Sequence, residues 1–107
     1  MNEVYIPFLP EFEDNMKNGL KWMTTRSKKY GEVGDTFTIF GIQFKLVARF
    51  RCRLWRVAHD LYKAEGCDTI NDFKKVWNKI HRIKGYDKQS MQFFFVHVFF
   101  PTWELEE

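Results

Sequence analysis

The spacing of apolar and polar residues changes period several times along this chain, and each change marks an element. Residues 43–53 alternate. Phe44, Leu46, Ala48, Phe50 and Cys52 fall on one side, and Lys45, Val47, Arg49, Arg51 and Arg53 on the other. A period of two held this long predicts a strand that projects its arginines from one side of a sheet. Thr36 to Phe40 reads as the preceding strand, joined to it by a tight turn at Gly41-Ile42. Met91 to Phe100 is apolar on both faces, as in a strand covered on both sides, and Pro101 ends it.

Two helices are expected between those strands. Leu54, Val57, Ala58, Leu61 and Tyr62 mark the first, which ends near Gly66. Ile70, Phe73, Val76, Trp77 and Ile80 mark the second at helical spacing. Asp68 or Thr69 caps it, and Thr69-Ile70-Asn71-Asp72 resembles a capping box. Upstream, Val4-Tyr5-Ile6 reads as a short strand ending at Pro7. A helix then runs over about residues 10–18, with Pro10 in its first turn, acids following and Gly19 as its cap. Segments 28–35 and 81–90 read as loops, and Glu104, Glu106 and Glu107 as a solvated tail. About five strands with three short helices give an α+β domain built on a curved sheet or small barrel.

Composition narrows this picture. The 107 residues suit one domain. The 45% apolar content fits a folded globule. Aromatic residues reach 19%, and their periodic placement favours core packing over an exposed stacking surface. No apolar run approaches the roughly 20 residues of a membrane span. Met1-Asn2-Glu3 does not begin a secretory signal. Cys52 and Cys67 lack CxxC spacing and read as reduced, buried thiols of a cytoplasmic protein.

The net charge of +3 is unevenly placed. Residues 1–16 carry acids only. Residues 17–56 hold Lys17, Lys21, Arg26, Lys28, Lys29, Lys45, Arg49, Arg51, Arg53 and Arg56 against Glu32 and Asp35. Such a concentration favours a phosphate-bearing partner or simply forms a solvated face. Arg49, Arg51 and Arg53, with Lys28 and Lys29, are placed to follow a phosphate backbone. Trp22 or Tyr30 would stack on an unpaired base. His59, His81 and His97 lie on separate elements, so no metal site is expected. His97 reads as a hydrogen-bonded core residue. Gly31 and Gly34 fit no phosphate or dinucleotide loop, so no cofactor is expected.

The basic region opens on Gly19-Leu20-Lys21-Trp22-Met23-Thr24-Thr25-Arg26, or G-x-K-x-x-T-x-R. If this segment is extended, Trp22, Thr24 and Arg26 share one face, and Lys21, Met23 and Thr25 the other. Together with Gly34-Asp35-Thr36-Phe37, Glu65-Gly66-Cys67 and the apolar closing strand, this element resembles the ASCH domain of the PUA-like superfamily. The resemblance covers essentially residues 4–100. It implies a PUA-like curved barrel and a role in binding RNA, a nucleotide or a nucleoside. The ligand would lie in a cleft formed by Gly19, Lys21, Trp22, Thr24 and Arg26, the 28–34 loop and Glu65. Some small members of the family deacylate acetylcytidine through a Lys, a Thr and a Glu. Here these map to Lys21, Thr24 and Glu65, although the spacing from Glu65 to the following helix departs from the family by one residue. Other members are ribonucleases.

In such chemistry either Thr24 is the nucleophile and Lys21 its base, or Glu65 activates water while Lys21 polarises the carbonyl. The first route needs a Lys21 of lowered pKa. A protein-interaction module without catalysis is a third expectation. Nothing in the sequence specifies an oligomeric state.

Overall fold

The structure, a computed structural model, describes residues 1–105. A 3-10 turn over Pro10–Phe12 leads into α1 (Glu13–Lys17). The strands are β1 (Met23–Arg26), β2 (Thr36–Ile39), β3 (Ile42–Arg53) and β4 (Phe93–Pro101). Between β3 and β4 lie α2 (Leu54–Asp60), α3 (Ile70–Ile80) and α4 (Gly85–Gln89), and a second 3-10 turn, Thr102–Glu104, follows β4. The strands form one curled antiparallel sheet in the order β1-β4-β3-β2. This is the expected α+β architecture with four strands in place of five.

The missing strand is Val4–Ile6. Its backbone makes only a bridge at Glu3–Thr36 and a bond from the Val4 N–H to the Thr36 carbonyl. Ile6 is nevertheless buried, so the apolar pattern there reports packing without a ladder. Other boundaries also shift. The helix expected to run to Gly66 stops at Asp60, and residues 61–66 become turns with Glu65 forming a bridge to Lys21. The 81–90 loop contains α4. The hairpin turn is Phe40-Gly41, not Gly41-Ile42, because Ile39 pairs with Ile42. Both turn residues have positive φ (55° and 75°), the twist that two-residue hairpins favour.

The largest correction concerns β3. Leu46 pairs with Phe99 and Ala48 with Val98, so Val47 is an extra, bulged residue. A bulge resets which face each later side chain takes. Phe44 and Leu46 therefore share a face with Arg49, Arg51 and Arg53, and Ala48, Phe50 and Cys52 lie on the other. The continuous alternation along residues 43–53 conceals this switch.

Each sheet face carries its own apolar cluster. Phe37, Phe44 and Phe99 pack edge-on and stacked within 5.4 Å, with Ile6, Phe12, Met16 and Leu46 around them. On the other face Phe94, Val96 and Val98 meet Leu54, Val57, Phe73 and Trp77. β4 supplies both clusters, which explains its two apolar faces. The Thr69 hydroxyl caps α3 by accepting the Asp72 N–H at 3.0 Å. That end fixes the helix whose Phe73 and Trp77 close one cluster.

Candidate functional site

The two clusters leave a seam beside the edge strand β1, and a cleft of about 360 Å³ occupies it. Phe8, Phe12, Phe73, Val76, Trp77 and Ile80 supply its apolar lining. Lys21, Thr24, Thr25, Arg26, Ser27, Tyr30, Glu65 and His81 add polar groups. Volume and lining both fall within the usual range of a small-molecule site, which is mostly apolar with a few converging polar groups.

Lys21 reaches this position through a crossing of the backbone. After α1, Gly19 turns at φ 73°, and Asn15 accepts the N–H groups of Leu20 and Lys21 through its carbonyl. Lys21 then bridges to Glu65, and the N–H groups of Trp22 and Met23 both reach the Ala64 carbonyl. The Asn15 side-chain amide donates to the Gly66 carbonyl at 2.8 Å. Gly66 has φ 90°, and a Cβ there would lie 2.9 Å from Lys21 Cβ. Glycine is thus required on both conformational and steric grounds.

Lys21 is buried, and its ammonium has three oxygens around it, two of them hydrogen-bonded. These are the Met23 carbonyl at 2.8 Å, the Glu65 carbonyl at 2.9 Å and Glu65 Oε1 at 3.5 Å. The Phe12 ring lies 4.5 Å from its Nζ. Glu65 Oε2 accepts the Thr25 hydroxyl at 2.8 Å. Burial dominates both titrations, lowering the Lys21 pKa and raising that of Glu65, while each opposes the other's shift through its charge. Cys67, beside the pair, is pushed up to about 11 by burial and stays a thiol at neutral pH.

The hydroxyl joined to Glu65 belongs to Thr25, not Thr24. Thr24 lines the same cleft, but its Oγ1 accepts from Arg26 Nε at 2.9 Å. The Arg26 guanidinium also donates to the Pro7 carbonyl and stands 5.0 Å and 5.2 Å from the Phe8 and Tyr30 rings. Behind Thr24 lies His97, fully buried. The Tyr30 N–H donates to its Nε2 at 3.0 Å, so Nδ1 carries the proton and faces the Thr24 carbonyl at 3.3 Å. His97 thereby joins β1 to the 28–34 loop, and burial lowers its pKa.

The sequence-derived site residues separate into two groups. Lys21, Thr24, Arg26, Tyr30 and Glu65 line the cleft. Lys28, Lys29, Arg49, Arg51 and Arg53 do not. Arg49 donates to the Gly31 carbonyl and pairs with Glu32 at 3.2 Å. Lys28 lies over the Tyr30 ring, Lys29 over Phe95, and Arg51 and Arg53 over Phe93. Trp22 stacks on Phe100 outside the cleft, and Gly19 serves the backbone turn. Sequence reasoning gave Thr25 and His81 no role, yet both line the cleft. The expected sharing of a face by Lys21 and Thr25 was the available signal for Thr25. His81 stacks on Trp77 with ring centroids 3.9 Å apart and lies one turn beyond it, a spacing visible in the sequence.

Comparison of the sequence with family models finds no match, and no curated protein matches it. Solved structures do. An ASCH domain from Lactobacillus crispatus superposes with a TM-score of 0.68 at 12% identity, covering 94% of this chain and 78% of that one. The hypothetical protein PH0355 gives a TM-score of 0.65 at 14% identity, covering 94% and 95%. The Pyrococcus furiosus protein PF0455 gives 0.58 at 14% identity, covering 94% of each. These likenesses, reached at low identity, establish that the chain has the fold of an ASCH domain.

Proposed function

We propose that the cleft binds a nucleoside, either free or as one unit of an RNA strand. The observation that carries this is an apolar-walled cleft with its polar groups gathered along β1 and Glu65. A nucleobase has apolar faces and hydrogen-bonding edges, so it needs flat walls and convergent polar groups together. Phe8, Phe73 and Tyr30 supply the first, and Thr24, Arg26 and Ser27 the second. Lys21 and Glu65 hold the floor in place through bonds to each other and to the backbone.

Calorimetric titration with cytidine, uridine and their monophosphates tests this. Saturable binding is expected, weakened roughly tenfold or more in Arg26→Ala, the scale of one charge-assisted hydrogen bond. Absence of binding to every nucleoside and nucleotide would refute it.

A second reading, hydrolysis of an acylated nucleoside, is favoured by the opposed titration shifts of Lys21 and Glu65 at the cleft floor. Glu65 would act on water while Lys21 polarises the carbonyl, and Thr25 would hold the carboxylate in place. In this route Thr24 binds substrate and is not the nucleophile. Release of acetate from acetylcytidine, lost in Glu65→Gln, is the expected result. No release from the intact protein would reject it.

A further inference from the structure

The outer edge of β3 is open beyond its bulge. β2 pairs only with residues 42–45, and the last bonds on that side join Leu46 to Gly34 and Asp35. The Leu54 N–H reaches the Gln92 carbonyl in register with the β3–β4 ladder, so Cys52, Phe50 and Ala48 exchange their backbone bonds with β4. The Phe99 N–H, bonded to the Trp22 carbonyl, gives the same phase from the β1 side. The N–H and C=O groups of Arg49 and Arg51 therefore point away from β4. Among the described residues they have no backbone partner.

An open edge pairs with another strand unless something opposes it, and the side chains decide which strand is admitted. Arg49, Arg51 and Arg53 form a basic strip along one side of this edge. Arg49 is matched by Glu32, and Arg53 donates to the Met91 carbonyl. Arg51 is exposed and has no carboxylate within ion-pairing distance among the described residues. Its contact with the Phe93 ring leaves guanidinium N–H groups available to a carboxylate. On the other side of the edge Phe50 is 38% exposed. Two such edges brought together would set arginine against arginine, so like edges do not pair. The strand that fits carries acids on one side and apolar residues on the other.

The chain itself contains that pattern. Trp103-Glu104-Leu105-Glu106 alternates apolar and acidic residues. Trp103 is 54% exposed and Leu105 43%, so neither is committed to the core. Residues 102–104 form only a 3-10 turn, closed by the Leu105 N–H on the Thr102 carbonyl at 3.1 Å, and a turn this short opens at little cost. The segment is badly placed for its own edge. Pro101, just before it, stands opposite Phe44, at the end of β3 that β2 covers. The edge it can reach is that of a second copy.

We propose that residues 103–106 of one copy add as a strand to the open β3 edge of another, with Glu104 and Glu106 on the arginine side and Trp103 and Leu105 beside Phe50. Backbone bonds to Arg49 and Arg51 supply the attachment, and the pairing of acids with Arg51 supplies the selectivity. A strand this short buries well under the roughly 1,200 Å² of a stable interface, so the association is weak and depends on concentration.

Sedimentation velocity of the full chain across micromolar to millimolar concentrations tests the proposal. The average mass should rise with concentration. Removing residues 103–107 should abolish that rise and leave the unfolding midpoint unchanged. Arg51→Glu should weaken association about tenfold or more, the scale of one charge-assisted hydrogen bond. Mixing Arg51→Glu with a chain carrying Glu104→Lys and Glu106→Lys should restore it, because the reversed edge then meets a reversed segment. Exchange of the Arg49 and Arg51 amide hydrogens should slow at high concentration in the full chain and not in the shortened one. A monomer at every concentration would overturn the proposal. So would association that survives loss of residues 103–107, or Arg51 amide exchange that ignores concentration.

Discussion

Lys21 and Arg51 carry the same formal charge within one basic stretch of sequence, yet the fold uses them in opposite ways. Lys21 is buried, bonded to two backbone carbonyls, with its charge opposed by Glu65. Arg51 is exposed, lies over the Phe93 ring and has no carboxylate partner among the described residues. A count of charges along the chain merges the two. Desolvation separates them, because a buried ion must be paired while an exposed one acts on whatever approaches. The two cations are therefore used differently: one is compensated inside the fold, the other faces solvent.

The comparison is tested most severely by removing each cation. Lys21→Met leaves the Glu65 carboxylate buried without its cation and should cost about 3–5 kcal/mol in urea denaturation. Adding Glu65→Gln, which keeps an acceptor for Thr25, should recover part of that loss. Arg51→Ala should change stability by no more than about 0.5 kcal/mol, as expected of an exposed side chain. Equal costs at the two positions would remove the distinction.

A smaller effect should appear with pH. His97 is neutral in the fold, its Nε2 accepting the Tyr30 N–H, and its pKa lies below the ordinary 6.5 because it is buried. A depressed folded-state value means that the stabilisation is fully present above the unfolded pKa and is lost as pH falls through the folded one. Unfolding midpoints should thus decline below about pH 6.5. His97→Gln should flatten part of that decline. His81, also lowered by burial, should retain the remainder. A decline identical in His97→Gln and the intact protein would contradict this account of the link between β1 and the loop.

How far the sequence revealed these features depends on the range of the interactions involved. α3 was legible because its spacing and its Thr69 cap are local, and β4 because both its faces are apolar. The Val47 bulge was not, since the residue pattern keeps a period of two straight through it. Only the register against β4 shows the change of face. The Lys21–Glu65 contact joins residues far apart in the chain, and only the resemblance to ASCH domains pointed to Glu65. The choice between Thr24 and Thr25 was open to local reasoning. An extended segment puts Lys21 and Thr25 on one face, and the bonds to Glu65 follow that geometry. The division of the basic stretch into cleft and strip was beyond composition, because it depends on which cations the fold desolvates.

The central claim is that the cleft beside β1 receives a nucleoside, and backbone amide shifts on titration with cytidine monophosphate test it most directly. The account predicts saturable shifts concentrated at Thr24, Thr25, Arg26, Tyr30 and Glu65. Shifts confined to Phe93, Arg51 and Arg53, or none at all, would contradict it.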